Sequence, residues 1–498
     1  MKTAISPTRK ENYPQWYQQV VQHAQLAEIA PVRGCMIIKP WGYALWEHLQ
    51  KVLDSHIKAS GHQNIYCPLF IPLSFLEKEA EHIAGFAKEC AVVTHSRLVQ
   101  DDAGNLVPSS PLDSPLVVRP TSETMIGELF SRWIQSYRDL PMKLNQWANI
   151  VRWEMRTRMF LRTTEFLWQE GHTAHADGDE ANAHALTMLN MYQRFCKDQL
   201  AICVVKGEKS INERFPGAVH TYTIEALMQD NKALQLGTSH YLGQNFAKGS
   251  DISFQDQDGN MQFVHTTSWG VTTRMIGALV MSHSDDDGLV LPPAIAPYQI
   301  VILPILGKNS DTSALMDYVT QIQTQLAKLT FAGAALRVHI DTRDRSGGEK
   351  SWSWVKQGVP IRLEVGAREF AEKKVCMRIR TQSYGEKHIL ELTDLEATVA
   401  ATLATIQDTL YQQSKDRLLE HCIMCTTPDE VDKALKADKM VALYWVEDDA
   451  TETMLAEQYS ASIRAFVAEE NPFTWALEGQ ACFHTQQQGR LALVAKAY

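Results

Sequence analysis

The stretch that decides the fold is residues 151–172, VRWEMRTRMFLRTTEFLWQEGH. At its start, apolar and charged residues alternate, as they do in a β-strand that has one polar face. A second alternating run, residues 162–170, places Phe166 and Trp168 on the same side as Glu170. A short basic loop, residues 156–161, lies between the two runs. The pattern predicts a β-hairpin.

The polar face of this hairpin would carry side chains that suit a nucleotide. Guanidinium groups bind phosphates with two hydrogen bonds, and an aromatic ring stacks on a flat base. A carboxylate accepts a hydrogen bond from an exocyclic amine. The pattern thus predicts a nucleotide site built on a sheet, without a glycine-rich loop. On this pattern alone, a solvated hairpin edge with surface ion pairs remains an alternative. The side chains concerned are Arg152, Glu154, Arg162, Phe166 and Glu170.

Length and composition exclude several classes of protein. The 498 residues are enough for more than one domain, and 45% hydrophobic and 21% charged residues are typical of a soluble enzyme. No segment is apolar enough for a signal peptide or a membrane span, which predicts a cytoplasmic protein with no membrane partner. Nine scattered cysteines disfavour a disulfide framework. With a net charge of −10, a nucleic acid would need a local basic surface.

The arrangement Arg-x-Glu, loop, Arg-x-x-x-Phe resembles motif 2 of the class II aminoacyl-tRNA synthetases. Four further segments are similar to prolyl-tRNA synthetases of the archaeal/eukaryotic-like type, which lack an editing insertion. They are RPTSET (119–124), WQEGHTAH (168–175), GTSH (237–240) and SWGVTTR (268–274). The resemblance runs from residue 13 to residue 498 and becomes looser after residue 400. A helix and a proline-bearing strand in residues 41–72 resemble motif 1, which in this family implies a homodimer.

The resemblance implies an α+β fold with three parts. Residues 1–291 would form the class II catalytic domain on an antiparallel sheet. After the linker LPPAIAP, residues 296–405 would form an α/β anticodon-binding domain, where strands and helices alternate. Residues 406–498 would form a small α/β C-terminal domain. Within the first part, residues 101–116 are expected to be a loop, and Ser122 or Thr121 is expected to cap a helix running to residue 136. A strand is expected to end just before Gly237.

The implied activity is the ATP-dependent ligation of L-proline to tRNA(Pro) through a prolyl-adenylate. Arg152 and Arg274 would be the catalytic residues. Many class II enzymes have an acid at the position of Gln235, so the amide there is expected to be a weak ligand for the Mg²⁺ that accompanies ATP. Proline would contact Thr121, Glu123, Arg152, Trp168, Glu170, His172, His240 and Ser268. ATP would contact Arg152, Glu154, Arg162, Thr163, Phe166, Gln235, Thr238, Thr272 and Arg274.

Residues 341–380 supply the local basic surface that a tRNA requires. They contain ten basic and six acidic residues in a chain that is acidic overall. Trp352 and Trp354 would offer stacking planes for unpaired bases. A solvated charged face remains the alternative. The residues expected at the anticodon are Arg343, Lys350, Trp354, Arg362 and Glu364.

The C-terminal region departs from the family pattern, which commonly includes a zinc ion held by four cysteines. Beyond residue 441 only Cys482 is present, with His484 beside it, and Cys422 and Cys425 lie upstream. We therefore expect no zinc here and an apolar core in its place. The histidines at 172, 175 and 184 also lack a partner at ligand spacing, which disfavours a metal there.

Two other functions stay open. A catalytically inactive, synthetase-like binding protein is disfavoured because Arg152, Glu154 and Arg274 are all present. A class II synthetase for another amino acid is disfavoured by the residues that line the expected proline pocket, above all Thr121 and Glu123.

Overall fold

The computed structural model describes residues 4–77, 89–305, 312–485 and 487–498. Within these ranges the helices and strands, numbered in chain order, have the following bounds. The helices are α1 (Tyr13–His23), α2 (Pro40–Ala59), α3 (Leu73–Glu77), α4 (Glu123–Trp133), α5 (Gly178–Asp198), α6 (Asn245–Gly249), α7 (Arg274–His283), α8 (Thr312–Leu326), α9 (Gly347–Lys356), α10 (Ala367–Glu372), α11 (Leu392–His421), α12 (Pro428–Lys436) and α13 (Asp449–Tyr459).

The strands are β1 (Ala27–Ile29), β2 (Met36–Ile38), β3 (Gln63–Asn64), β4 (Phe70–Pro72), β5 (Ala91–Gln100), β6 (Leu106–Val118), β7 (Met142–Val151), β8 (Glu165–His175), β9 (Val205–Glu208), β10 (His220–Leu227), β11 (Ala233–Gly243), β12 (Ser253–Gln255), β13 (Met261–Phe263), β14 (His265–Thr272), β15 (Ile300–Pro304), β16 (Thr330–Phe331), β17 (Ala334–Ala335), β18 (Val338–Ile340), β19 (Ile361–Val365), β20 (Lys374–Ile379), β21 (His388–Glu391), β22 (Cys422–Met424), β23 (Met440–Trp445), β24 (Ala461–Val467), β25 (Gln480–Ala481) and β26 (Gln488–Lys496).

Twelve of the described strands form one large sheet, which positions the site. Its order is β22-β23-β26-β24-β9-β10-β11-β14-β8-β7-β3, with β25 paired to β26. From β9 to β7 all neighbours are antiparallel. Helices α1, α2, α5 and α7 cover one face, and their apolar residues share one core with the sheet. The antiparallel catalytic sheet expected from the sequence is confirmed.

The hairpin at residues 151–172 is present, but its strands begin and end elsewhere than predicted. The first strand is β7, which ends at Val151, and β8 begins only at Glu165. The alternation beyond Val151 was therefore wrongly interpreted as a strand. The backbone NH of Arg152 still donates to Thr164 O (2.8 Å), but that of Trp153 donates to Glu89 O (2.8 Å), outside the hairpin. Arg152, Glu154 and Arg162 consequently lie on the connecting loop.

Residues 101–116 are mostly strand, so the predicted loop is wrong. β5 and β6 form a long antiparallel hairpin, and only residues 101–105 turn. Asp101 closes the turn, since its Oδ1 accepts from the backbone NH groups of Ala103 (3.0 Å) and Asn105 (2.8 Å). Prolines 108 and 111 fit the strand because this part of β6 has a strand partner on one side only, so its other edge needs no NH donors.

Two shorter expectations are also corrected. Helix α4 ends at Trp133, and Ser122 stands at its N-cap without a side-chain capping bond. Instead, Ser122 Oγ donates to Glu170 Oε1 at 2.6 Å, so its hydroxyl belongs to the site. Strand β11 does not stop before Gly237 but continues to Gly243, which places the segment 237–240 within the sheet.

The α/β architecture expected after the linker is confirmed. A five-stranded sheet has the order β18-β15-β19-β20-β21, with β15 parallel to both β18 and β19. Its core includes residues of α8 and α11. Arg380 connects this part to the catalytic part, because its guanidinium bonds both oxygens of Asp285 at 2.6 and 2.8 Å.

The C-terminal strands do not form a sheet of their own. β24 pairs with β9, so β22, β23, β24 and β26 extend the catalytic sheet. An apolar cluster also joins the two parts, because Val205 and Leu227 pack with Leu418, Met440 and Leu491. The domain boundary at residues 405/406 stays a prediction. Within the described ranges, no helix combines the length and the apolar composition needed to cross a membrane.

Candidate active site

The floor of the candidate site consists of three rows of side chains across β8, β14, β11 and β10. Register pairs define the rows, and alternate residues of each strand face the same side. The first row is His172–Ser268–His240–Thr221, and the second is Glu170–Gly270–Thr238–Thr223. The third consists of two register pairs, Trp168–Thr272 and Gln235–Glu225.

A cavity of about 490 Å³ lies above this floor. All residues that the sequence assigned to proline or ATP line this one cavity, although they come from positions 121 to 274 of the chain. The sheet thus brings the whole predicted set together. The role of each residue stays a prediction.

One end of the cavity contains a hydrogen-bond network around Glu170, whose side chain is 4% exposed. Its carboxylate accepts from Ser122 Oγ (2.6 Å) and Gln146 Nε2 (2.7 Å) and lies 3.0 Å from His172 Nε2. Thr121 and Glu123 lie at the same end, and the Thr121 hydroxyl donates to the Glu123 carboxylate. This end therefore offers carboxylates and a hydroxyl to a cationic amine.

Burial and charge act in opposite directions on the Glu170–His172 pair. Burial alone would raise the pKa of Glu170, but hydrogen bonds from His172, Ser122 and Gln146 and the charge of His172 hold it below its usual range. Burial alone would lower the pKa of His172, but Glu170 raises it. Each residue of the pair therefore stabilises the charged form of the other.

His240 contrasts with His172, its neighbour but one in the same row. Burial lowers the pKa of His240 to about 3, and the positive charge of His172 acts in the same direction. Its Nδ1 lies 3.0 Å from Thr221 Oγ1, and Phe215 stacks on its ring with the centroids 4.7 Å apart. A neutral imidazole under an aromatic ring gives this corner of the cavity an apolar wall.

Arg152 lies between the two ends of the cavity. Its Nε donates to Pro120 O at 2.9 Å, and its guanidinium lies 5.8 Å from the ring centres of both Phe166 and Trp168. Burial lowers its pKa, while Glu123, Glu89 and Glu170 oppose this change. A guanidinium held this way is oriented before any anion binds.

The other end of the cavity is cationic. Arg274, at the start of α7, donates to Leu161 O and to Gln235 O, both at 3.2 Å. Burial lowers its pKa to about 10, and the positive charge of Arg162 acts in the same direction. Arg162 Nε lies 3.7 Å from Glu154 Oε2. Two guanidiniums with backbone acceptors and one carboxylate partner suit a polyanion.

Several residues that line the cavity have a buried polar atom that makes no hydrogen bond within the described residues. Among these atoms are Ser268 Oγ in the floor and Trp168 Nε1 beside it. A buried polar group left without a partner costs free energy, so each of these atoms is available to a ligand. This supports a polar substrate directly above the floor.

Sequence reasoning missed several residues that line the cavity. Lys209, Glu213, Arg214 and Phe215 come from the segment after β9, and Glu89 comes from the region before β5. The basic and aromatic types in residues 209–215 are a signal for an anion site. However, only the pairing of β9 with β10 shows that this segment reaches the cavity.

The structure buries much of the predicted anticodon set. Arg362 and Trp354 are 2% and 6% exposed, and Trp354 Nε1 donates to Asp341 Oδ2 at 2.8 Å. Lys350 is also buried and donates to Asp341 O at 3.2 Å. In this conformation these three side chains hold the domain core together rather than face a nucleic acid.

The more accessible members of the predicted anticodon surface are paired with other side chains. Arg343 binds Asp341 (2.6 Å), and Glu364 accepts from Arg378 (2.9 Å). Trp352, the other predicted stacking plane, is half-buried. Its ring lies parallel to that of Tyr384, with centroids 4.4 Å apart.

The cysteines considered for zinc lie in two apolar clusters. Cys422 packs in one, while Cys425 and Cys482 pack in the other. Burial raises the pKa of Cys425 to about 11. Cys482 Sγ lies 3.4 Å from His484 Nδ1. No group of three or more potential ligands lies close enough for a metal in the part of the chain that the structure describes.

The Glu170–His172 pair gives a testable pH dependence. Glu170→Gln removes the carboxylate that raises the pKa of His172, while burial continues to lower this pKa. We therefore expect the pKa of His172 to fall from above 6.5 to below it. Selective ¹³Cε1-histidine NMR titration measures this. His283, buried far from Glu170 and bonded to Leu200 O, should keep its position in the same spectra.

The same variant should lose stability in a defined pH window. The contribution of Glu170 to the free energy of unfolding is complete above its unfolded-state pKa of 4.5 and is lost as pH falls through its lowered folded-state pKa. The contribution of His172 is complete below its unfolded-state pKa of 6.5 and is lost as pH rises through its raised folded-state pKa. The difference in urea midpoint between wild type and variant should therefore be greatest between pH 4.5 and 6.5. An unchanged His172 titration would contradict the pairing.

Comparison with known proteins is consistent with this geometry. Residues 108–283 match the family described as tRNA synthetase class II core domain (G, H, P, S and T), and residues 299–402 match the family described as anticodon binding domain. The chain is 52% identical to the proline–tRNA ligase of Protochlamydia amoebophila, over 100% of this chain and 99% of the relative. It is 52% identical to proline–tRNA ligase 2 of Anaeromyxobacter dehalogenans, over 96% of each chain. The identity to the proline–tRNA ligase of Rhodopirellula baltica is also 52%, over 100% and 98%.

Proposed function

Because this chain belongs to the proline–tRNA ligase family of class II synthetases, we propose that its cavity forms prolyl-adenylate from ATP and L-proline and transfers the prolyl group to tRNA(Pro). The main support for these residue roles is that one cavity has both a carboxylate-rich end and a cationic end, with Arg152 between them. The first end suits the imino group of proline, and the second suits the phosphates of ATP.

The first step is an in-line displacement at phosphorus. An oxygen of the proline carboxylate attacks the α-phosphate, the bond to the bridging oxygen of pyrophosphate breaks, and pyrophosphate leaves with that electron pair. Arg152, between the two ends of the cavity, would contact both the carboxylate and the α-phosphate, and Arg274 and Arg162 would neutralise the phosphates beyond. In the second step, a terminal ribose hydroxyl of the tRNA attacks the carbonyl carbon and AMP leaves. Such chemistry depends on positioning and on charge stabilisation rather than on a protein nucleophile.

The pocket for the proline ring follows from the floor rows. Thr121 and Glu123 would receive the imino group, and Trp168, His240 and Ser268, which line the same cavity, would lie below the ring. Glu170 and His172 hold the adjoining wall through their network. Glu154 and Thr163 face the adenine side, with Phe166 as its stacking plane, and Thr238 and Thr272 lie in the floor below the ribose and phosphates.

Amino-acid-dependent pyrophosphate exchange tests the proposed function. The purified protein, with ATP and Mg²⁺, should incorporate labelled pyrophosphate into ATP only when proline or a close ring analogue is added. The other proteinogenic amino acids, added one at a time, are the controls. Exchange that depends on a different amino acid would refute the assignment to proline.

Mg²⁺ would enter mainly as part of the ATP complex. The wall offers the amide oxygen of Gln235, while the neighbouring carboxylate, Glu225, is already bound by Arg464 and Lys209. An amide is a weak ligand for a hard cation, but Mg²⁺ is commonly held through substrate phosphates and water. Gln235 would help to hold the ion, which would supply neutralisation of phosphate charge. The residues present fit this role.

A homodimer is the proposed assembly. The region resembling motif 1 exposes large apolar side chains, among them Tyr66 (72%) and Phe70 (44%). Val92 (51%) is exposed on β5, in the same three-stranded sheet as Phe70. Exposed apolar side chains on neighbouring elements commonly mark an interface, and a two-fold axis would close it. Light scattering should therefore give twice the 56.2 kDa mass of one chain.

A single substitution tests where the two chains meet. Phe70→Glu introduces a charge into the proposed interface and should shift the mass towards that of a monomer. Ile389→Glu is the matched control, because Ile389 is also exposed but lies on β21 of the second sheet. A wild-type protein that remains monomeric at micromolar concentration would rule the dimer out.

tRNA(Pro) is the proposed macromolecular partner, and the cytoplasm is the proposed location. The match of residues 299–402 to an anticodon binding domain supports the first proposal. Arg343 and Glu364 remain candidates for base contacts, and Trp352 remains a candidate for stacking. Lys350, Trp354 and Arg362 would reach a nucleotide only after a change in conformation, because all three are buried.

The C-terminal region is proposed to fold without zinc. It has an apolar core that includes the buried residues Val441, Leu443, Trp445 and Phe466. Prolonged EDTA treatment should therefore leave both the melting temperature and proline activation unchanged, measured after re-addition of Mg²⁺. Metal analysis should find well below one zinc per chain. A stoichiometric zinc that disappears in Cys422→Ser would contradict this.

A further inference from the structure

A buried ionic cluster lies in the wall of the cavity where β9, β10 and β24 meet. Lys209 Nζ lies 3.0 Å from Glu225 Oε1. The guanidinium of Arg464 lies 3.1 Å from Oε2 and 3.2 Å from Oε1 of the same carboxylate. Side-chain exposure is 3% for Lys209, 1% for Glu225 and 9% for Arg464. Of the three, Lys209 lines the cavity.

The cluster contains two cations and one carboxylate. Without Arg464, Glu225 and Lys209 would form a neutral pair, and the wall would present no net charge. With Arg464 bound to both carboxylate oxygens, the fully ionised cluster has one net positive charge. Burial lowers the pKa of Lys209 and Arg464 acts in the same direction, while Glu225 opposes this change. Burial alone would raise the pKa of Glu225, but Arg464 and Lys209 hold it below its usual range, so the carboxylate is ionised. Glu213 also faces Lys209, but Glu213 is exposed and solvent screens it.

The cluster lies next to the cationic end of the cavity. Glu225 is the register partner of Gln235 across β10 and β11. Gln235 O in turn accepts from Arg274 Nη1 at 3.2 Å. Thr223, which precedes Glu225 in the floor, donates its hydroxyl to Glu225 Oε1 at 3.1 Å. The positive charge on Lys209 therefore adds to that of Arg274 and Arg162.

We propose that Arg464, from the C-terminal strand β24, is a positioning residue for the activation step: by binding Glu225 it leaves Lys209 as a positive charge directed at the phosphates of ATP and the departing pyrophosphate. This rests on the proposed assignment of the cationic end to ATP. The proposal connects the C-terminal strands to the activation step. Without β24, the catalytic sheet would present only the neutral pair of Lys209 and Glu225.

The competing explanation is that Arg464 only attaches the C-terminal strands to the catalytic sheet. Removing one partner of a buried ion pair destabilises a protein in either case, so loss of stability cannot distinguish the two explanations. The net charge of the cluster can distinguish them. A second substitution that removes the carboxylate restores the positive charge at Lys209 but does not restore the lost attachment.

The experiment compares four variants by pyrophosphate exchange, with KM and kcat for ATP and for proline, and by melting temperature. Arg464→Gln should lower kcat/KM for ATP about tenfold, with KM for proline changed less than about twofold. Glu225→Gln combined with Arg464→Gln should recover kcat/KM for ATP to within about threefold of wild type. Lys209→Met should lower it at least as much as Arg464→Gln does.

The fourth variant, Glu470→Gln, is the matched control. Glu470 binds Lys206 of β9 at 2.7 Å, so it also joins the C-terminal part to the catalytic sheet, but neither residue lines the cavity. It should keep wild-type kinetics for both substrates.

Three results would overturn the proposal. The double variant could be as impaired as Arg464→Gln, KM for proline could change as much as kcat/KM for ATP, or Lys209→Met could be fully active. If Arg464→Gln fails to fold, Arg464→Lys replaces it: the charge is kept, so kcat/KM for ATP should stay within about threefold of wild type, and a tenfold loss would refute the proposal. Absence of proline-dependent exchange in the wild type would instead refute the proposed function.

Discussion

Arg152→Ala is expected to reduce proline-dependent pyrophosphate exchange by a factor of about 10²–10³ or more, because removal of a donor that binds developing charge typically costs that much. Arg152 is held in place before substrate binds: its Nε donates to Pro120 O at 2.9 Å, and Phe166 and Trp168 lie beneath its guanidinium. It lies between the carboxylate-rich and cationic ends. In the proposed mechanism it therefore binds both reacting groups, the proline carboxylate and the α-phosphate.

Two controls make the result specific. Arg132→Ala removes an arginine that is 66% exposed on α4 and pairs with Glu128, away from the cavity, and should keep wild-type exchange. Arg152→Lys retains the charge but loses the planar fork, and should recover only part of the activity. Measuring kcat and KM for both substrates separates a loss of binding from a loss of chemistry. Full activity in Arg152→Ala would remove the motif 2 hairpin from the mechanism.

The composition of the site could be predicted from the sequence because its residues have chemistry that core residues lack. The side chains of Arg152, Glu154, Arg162 and Phe166 suit a nucleotide whatever the exact conformation of their backbone. The strand ends could not be predicted in the same way. Trp153 leaves the hairpin because its NH donates to Glu89 O, and no pattern within residues 151–172 contains that partner.

The ionic cluster shows the same limit at longer range. Nothing around Arg464 in the sequence indicates that it binds Glu225, because the pairing of β24 with β9 brings them together. Arg362 and Trp354 show the converse. Their residue types suit a nucleic acid, yet both side chains are buried in the domain. Trp354 also donates a hydrogen bond to Asp341. Residue type alone does not separate a surface cation from a buried one.

Removal of residues 422–498 is expected to be more damaging than the loss of a separate domain would be. β24 is the hydrogen-bond partner of β9 at the edge of the catalytic sheet, so truncation after His421 leaves that edge unpaired. It also exposes Val205, Leu227 and Ala233, which pack with Met440 and Leu491 in one apolar cluster. Arg464 is lost as well, which leaves Lys209 paired with Glu225 alone.

The truncated protein should aggregate, or should melt more than about 10 °C below the full chain, since the lost packing is worth several kcal/mol. It should also lack proline-dependent exchange. The control keeps every strand and cuts only the backbone. A protease site placed after Glu478, an exposed residue shortly before β25, gives a nicked protein. That protein should remain one particle and keep its activity, because the sheet holds both pieces. A truncated protein that melts like the full chain and activates proline at the wild-type rate would show that the C-terminal strands are an independent unit, and that the continuity of the sheet has no part in activation.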